Sequence, residues 1–272
     1  MERKSVCFYN TQKDKKMEIF RKMSFADSTG DAIPFYHEGK YHIFSLTSPP
    51  GTTIYPERLR TTWSHSVSDD LVHWQELPTA LYPGEGDEPD ASGVWTGSVI
   101  YGEGQYHAFY TGYCLTAEFQ QTICHATSED GITWTKDIAN PVITPMTELY
   151  EKLDWRDPYV FYNEEDENYW ILISARRLDM PVTRRGCIVL YRSKNLKDWT
   201  YYGPIYSPGH TNCPECPEMY KMGGHWYLSY SRFSEFVNTI YRVSESPFGP
   251  WRKPKKDGIG GRRFYAAKSI KN

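Results

Sequence analysis

A two-part unit recurs four times along the 272 residues, and it constrains the fold more than any other feature of the chain. Its first half is a turn followed by an aromatic, strand-like run. The four copies are Gly39-Lys-Tyr-His-Ile-Phe, Gly104-Gln-Tyr-His-Ala-Phe-Tyr, Asn168-Tyr-Trp-Ile-Leu-Ile and Gly224-His-Trp-Tyr-Leu-Ser-Tyr. The second half is a serine, a short polar turn and a tryptophan, in Ser68 to Trp74, Ser128 to Trp134, Ser193 to Trp199 and Ser244 to Trp251. The tryptophans are 60, 65 and 52 residues apart. Short aromatic and β-branched runs punctuated by Gly, Asn and Asp predict antiparallel sheet. A period of this length holding about four strands is that of a β-propeller blade.

The fold expected is all-β, a five-bladed β-propeller. A fifth unit begins at Arg262-Arg-Phe-Tyr-Ala-Ala, close to the last residue, Asn272. The fifth blade is therefore short, or completed by a strand from residues 5–10, which would hide sheet edges that otherwise invite aggregation. The alternative is a fragment of a longer protein. The division expected is an N-terminal extension at 1–22 and a propeller at 23–272, with no C-terminal β-sandwich. Short helices are predicted at 15–23 and 147–153.

Apolar residues make up 39% of the chain, enough for a sizeable core. The net charge of −3 argues against a nucleic-acid partner. The apolar runs are too short to span a bilayer. No apolar segment follows the opening Met-Glu-Arg-Lys-Ser-Val, so a cytoplasmic protein is expected. The six cysteines then read as reduced thiols. Cys213-Pro-Glu-Cys216 is a lone pair without further ligands at zinc spacing, so no metal and no cofactor is expected. Aromatics at 16% fit ordinary strand packing or a sugar-binding cleft lined with rings.

Glycoside hydrolysis uses two carboxyl groups flanking the scissile bond. Three acids stand just ahead of strand runs: Asp27 in Phe25-Ala-Asp-Ser-Thr-Gly30, Asp157 in Trp155-Arg-Asp-Pro158, and Glu215 in Cys213-Pro-Glu-Cys-Pro217. Each also has a purely structural reading: a turn cap, an ion pair at a turn, a rigid surface loop. A propeller would bring residues at equivalent places in successive blades together around its axis.

These residues carry a resemblance. Arg156-Asp157-Pro158 resembles the RDP motif of glycoside hydrolase family 32, the invertases, inulinases and levanases. Glu215-Cys216-Pro217-Glu218 resembles its ECP motif. His65 to Trp74 is similar to its HAVS…DLVHW stretch, and Trp95-Thr-Gly-Ser98 to its FSGS segment. The resemblance covers roughly residues 24–267. It implies hydrolysis of β-fructosides, such as sucrose or fructo-oligosaccharides, with retention of configuration. It also implies Asp27 as nucleophile, Asp157 as stabiliser of the transition state and Glu215 as general acid/base. Arg156, Trp63, Trp95, Thr96 and Ser98 are implied to contact the sugar.

The chain departs from the family pattern at Ala26, Ser28 and Thr29, beside the expected nucleophile, and within Phe44-Ser-Leu-Thr47. Ala26-Asp27 also resembles the start of glycoside hydrolase family 43, and the stretch Ser244 to Trp251 resembles that family's fourth-blade ending. An inverting arabinofuranosidase or xylosidase is therefore a second reading. A non-catalytic sugar-binding propeller is a third. His42, His65, His73 and His107 read as packing histidines.

Overall fold

The computed structural model describes residues 28–270 apart from 53, 235 and 262. The expected closing strand at 5–10, the helix at 15–23 and Asp27 lie outside the described residues. Four four-stranded antiparallel sheets follow one another along the chain. The first is β1 (Thr29–His37), β2 (Lys40–Thr47), β3 (Thr62–Ser68) and β4 (Trp74–Leu81). The second is β5 (Gly93–Gly102), β6 (Gln105–Tyr113), β7 (Gln121–Ser128) and β8 (Thr135–Lys136). The third is β9 (Tyr150–Asn163), β10 (Asn168–Arg177), β11 (Gly186–Ser193) and β12 (Thr200–Tyr206). The fourth is β13 (Glu215–Met222), β14 (His225–Arg232), β15 (Asn238–Ser244) and β16 (Gly258–Ile259). Neighbouring sheets meet through their first strands, β1 by β5, β5 by β9 and β9 by β13. This is a β-propeller, with the repeat unit as its blade.

The described residues contain four blades and no fifth sheet. Where a fifth blade was expected, residues 263–270 form no strand. They cross from the β15 edge to the inner wall: Thr239 donates its N–H to the Phe264 carbonyl, and Lys268 donates to the Gly97 carbonyl of β5. The helix expected at 147–153 is a turn leading into β9, so its aromatic and β-branched neighbours prevailed over its local helix pattern. No helix among the described residues is long and apolar enough to cross a membrane.

Each half of the repeat has a physical cause. Ser68 accepts the N–H groups of Asp70 and Leu71, and Asp70 Oδ1 accepts those of Val72 and His73. Asp130 and Asn195 close the same kind of turn. The fourth residue of each turn, Leu71, Gly131 or Leu196, is left-handed, with φ of 63°, 70° and 60°. Side-chain acceptors that mimic a backbone turn explain why Ser and Asp or Asn recur there.

The strand runs are apolar on both faces because both faces are covered. Along β10, Trp170 and Leu172 join Met219, Leu228 and Tyr230 in one core between the third and fourth sheets. Ile171 and Ile173 join Phe109 and Ile123 in another, between the second and third. A third core packs Ile33, Phe44 and Trp63 against Val99, Ala108 and Tyr110, joining the first two sheets. Each such side chain contributes roughly 1.5–3 kcal/mol on burial.

Three of the four expected packing histidines belong to matching buried pairs in the first two blades, while His73 is half exposed and pairs with Asp70. His42 and His65 share a hydrogen bond of 2.9 Å, as do His107 and His125. Burial pushes His65 down to about 3, helped by His42, and His107 down to about 4, helped by His125. The unfolded chain titrates near the ordinary value of about 6.5, so it takes up these protons first. The stability these neutral rings contribute is intact above that pH and falls as pH drops toward 4 and then 3. The denaturant midpoint is expected to fall between pH 7 and pH 4.5, and less so in His107→Gln. An unchanged midpoint in the unaltered protein would contradict this.

Candidate active site

All four inner strands carry an extra residue at the same level. Gly30 and Asp31 of β1 face the single residue Leu46. Trp95 and Thr96 of β5 face Thr111. Asp157 and Pro158 of β9 face Ile173. Cys216 and Pro217 of β13 face Tyr230. A bulge of this kind turns a side chain out of the alternating pattern, and bulges gather beside active sites. Proline suits the second position because it has no N–H to offer the ladder. Asp157 and Cys216 are held at φ of 57° and 49°, a conformation that non-glycine residues adopt at a cost. Gly97 ends the β5 bulge, and a Cβ there would collide with the Phe109 carbonyl oxygen.

The four bulges face one cavity of about 220 Å³. Asp31, Asp157 and Glu215 line it, with Arg156, Trp95, Thr96, Cys216 and Tyr265. Cys216 links two of the acids. Its N–H donates to Asp157 Oδ2 at 2.9 Å, and its thiol lies 3.6 Å from Asp31 Oδ2. Burial pushes that thiol well up, so it stays protonated and donates. Thr96 donates its hydroxyl to the same Asp31 oxygen at 2.8 Å. The Asp157 N–H donates to Thr111 Oγ1 at 2.8 Å, which ties β9 to the β5 hairpin.

Arg156 reaches three acids. Its guanidinium lies 2.6 Å from Glu215 Oε1, 2.5 Å from Asp154 Oδ1 and 3.8 Å from Asp157 Oδ2. Burial raises the Asp157 carboxyl above the ordinary range; Arg156 and the Cys216 N–H pull it back, while Asp31 pushes it up. Glu215 is raised first by burial and then by Asp157 and Asp31, against the pull of Arg156. A carboxyl whose affinity for its proton is raised beside two further carboxyls is the arrangement from which a proton donor and a charged partner can be made.

The remaining residues singled out in the sequence separate. Trp95 lines the cavity, stacks on Tyr113 at 4.1 Å and donates to the Leu59 carbonyl. Trp63 is fully buried in the core between the first two sheets, where Nε1 donates to the Trp95 carbonyl. It supports the cavity wall and does not line it. Ser98 does not line this cavity but a second pocket, and it donates to the Pro158 carbonyl and accepts the Val160 N–H. Its hydroxyl joins the second and third blades.

Asp31 was missed in the sequence. The signal was the offset within the repeat: Asp31 stands eight residues before Gly39, as Thr96 stands eight before Gly104 and Cys216 eight before Gly224. Tyr265, from the segment after the fourth blade, was missed as well. In the sequence it stands within Arg262-Arg-Phe-Tyr-Ala-Ala, read only as the start of a fifth unit.

Comparison with known proteins agrees with this geometry. The family model described as the glycosyl hydrolases family 32 N-terminal domain matches residues 31–259. A levanase of Bacillus subtilis is 34% identical over 198 residues, which is 69% of this chain and 26% of that protein. A raffinose invertase of Escherichia coli is 32% identical over 202 residues, 71% of this chain and 39% of that protein. The crystal structure of fructan 1-exohydrolase IIa from Cichorium intybus superposes with a TM-score of 0.67 at 26% identity, over 80% of this chain and 42% of that one. The chain thus spans less than half the length of each of these relatives. The matched span, the propeller and the order of its motifs place the chain in glycoside hydrolase family 32.

Proposed function

We propose that this chain carries the catalytic propeller of a retaining β-fructosidase that acts on sucrose or fructo-oligosaccharides. The observation that carries the reading is the convergence on one cavity of Asp31 and Asp157, each in a bulge, and Glu215, just before a third bulge. In this reading Glu215 gives its proton to the glycosidic oxygen as Asp31 attacks the anomeric carbon and the carbon–oxygen bond breaks. Thr96 and Cys216 hold Asp31 Oδ2, which leaves Oδ1 for the attack. Glu215, now a carboxylate, then takes a proton from water, and that water displaces Asp31 and releases the sugar. Asp157 accepts sugar hydroxyls and, with Asp31, faces the positive charge of the oxocarbenium-like transition state.

The nucleophile is assigned to Asp31, at the bulge, rather than to Asp27. Tyr265 and Trp95 would bound the sugar ring. The reading includes a fifth blade, short or completed by the N-terminal strand; residues 263–270 already approach the inner wall.

A proton NMR time course with sucrose, short fructo-oligosaccharides and an aryl arabinofuranoside tests the reading. Fructose released first as the β-furanose is the expected result. Arabinose released with inverted configuration, or binding without turnover, would overturn it.

A further inference from the structure

Five ion pairs form a row of alternating charge that ends on Glu215. Arg185 Nη1 lies 2.6 Å from Glu151 Oε1, and Glu151 Oε2 lies 2.6 Å from Arg176 Nε. Arg176 Nε lies 3.3 Å from Asp154 Oδ2. Asp154 Oδ1 lies 2.5 Å from Arg156 Nη1, and Arg156 Nη2 lies 2.6 Å from Glu215 Oε1. Arg176 is also fixed by the carbonyls of Asn212 and Val182, at 2.9 and 3.0 Å. Asp154 is thus anchored from one side and holds one arm of Arg156 from the other.

The second arm of Arg156 meets a proton donor, which is an awkward neighbour for it. A cation at this distance favours the carboxylate over the acid. Asp154 sets a negative charge against that cation. We propose that Asp154 is a positioning residue, which shares the Arg156 guanidinium with Glu215 and so keeps Glu215 able to act as the acid. The inference rests on the assignment of Glu215 as proton donor made above. Asp154 does not line the cavity.

The other groups that face Glu215 stay in place when Asp154 changes. They are Arg156 and Asp157 of β9 and Asp31 of β1. Cys213 stands before β13 and Cys216 follows Glu215 on it, while Lys268 of the C-terminal segment faces Asp157 and Cys216. Asp154→Asn removes one negative charge and keeps the shape, and the side chain is 28% exposed, so the fold should tolerate it.

Two readouts test the inference. The first is the pH profile of kcat/KM, whose upper limb reports loss of the acid's proton. It is expected to move to lower pH by on the order of one unit in Asp154→Asn. Asp154→Glu returns the charge and should move the limb back. A merely structural role would lower the rate at every pH and leave the limb where it was, which would overturn the inference. The second is titration of the Glu215 side-chain carboxyl followed by carbon NMR in the unaltered protein and in Asp154→Asn, which needs no turnover. A lower Glu215 titration in Asp154→Asn, with no fructoside hydrolysed by either protein, would sustain the inference and sink the fructosidase reading. An unchanged titration would overturn the inference whatever the rates.

Discussion

Asp31→Asn is expected to lower kcat on fructosides by about a thousandfold or more, about 4 kcal/mol of barrier, while Asp27→Asn changes it little. The contrast follows from the bulge. Asp31 occupies the turned-out position of β1, receives the Thr96 hydroxyl and the Cys216 thiol, and lines the cavity with Asp157 and Glu215. Amide replacement keeps the volume and removes the attacking oxygen's charge, so the loss should sit in kcat rather than in folding. Glu215→Gln should cost on the order of 10²–10⁴-fold with poor leaving groups, the usual range for a lost general acid, and much less with activated aryl fructosides. The check is a steady-state comparison of the three variants with matched circular-dichroism spectra. Full loss in Asp27→Asn with a competent Asp31→Asn would overturn the assignment.

The second large effect falls on stability. Trp63 was implied by resemblance to touch the sugar, yet its ring is fully buried against Phe44 and Tyr110. Trp63→Ala empties a site between the first two sheets and is expected to cost about 3–5 kcal/mol, the range for large aromatic truncations in a core. That is a large part of the stability of an ordinary domain, so the denaturant midpoint should drop sharply or the protein should fail to accumulate folded. Trp95→Ala, at the partly exposed cavity wall, should instead raise KM for sugars and leave the midpoint nearly unchanged. A small stability change in Trp63→Ala together with a large KM change would show the ring to be a substrate contact after all.

The sequence made the blades legible because their signals are local. Each Ser-x-Asp or Ser-x-Asn turn closes on its own backbone, and each strand run is apolar enough to be buried on both faces. Asp157 and Glu215 were legible because the neighbouring Pro158 and Pro217 mark the bulges that aim their part of the strand. Asp31 carries no proline, and Asp27 in its Ser-Thr-Gly setting looked more like the known motif. Only the common eight-residue offset to the hairpin glycine separates them. The burial of Trp63 was not legible either, since it depends on how two sheets face each other and not on any local pattern. The ion row through Arg176 and Asp154 joins residues from four separate segments, so it emerges only once β9 pairs with β10 and meets β13.

The central claim is that Asp31 attacks the sugar. The most direct test is to quench the protein in acid during turnover of an activated aryl fructoside, using Glu215→Gln to slow release, and to map the peptides by mass spectrometry. A fructosyl group esterified to Asp31 is the expected result. An adduct on Asp27, or none beside a product of inverted configuration, would contradict the account.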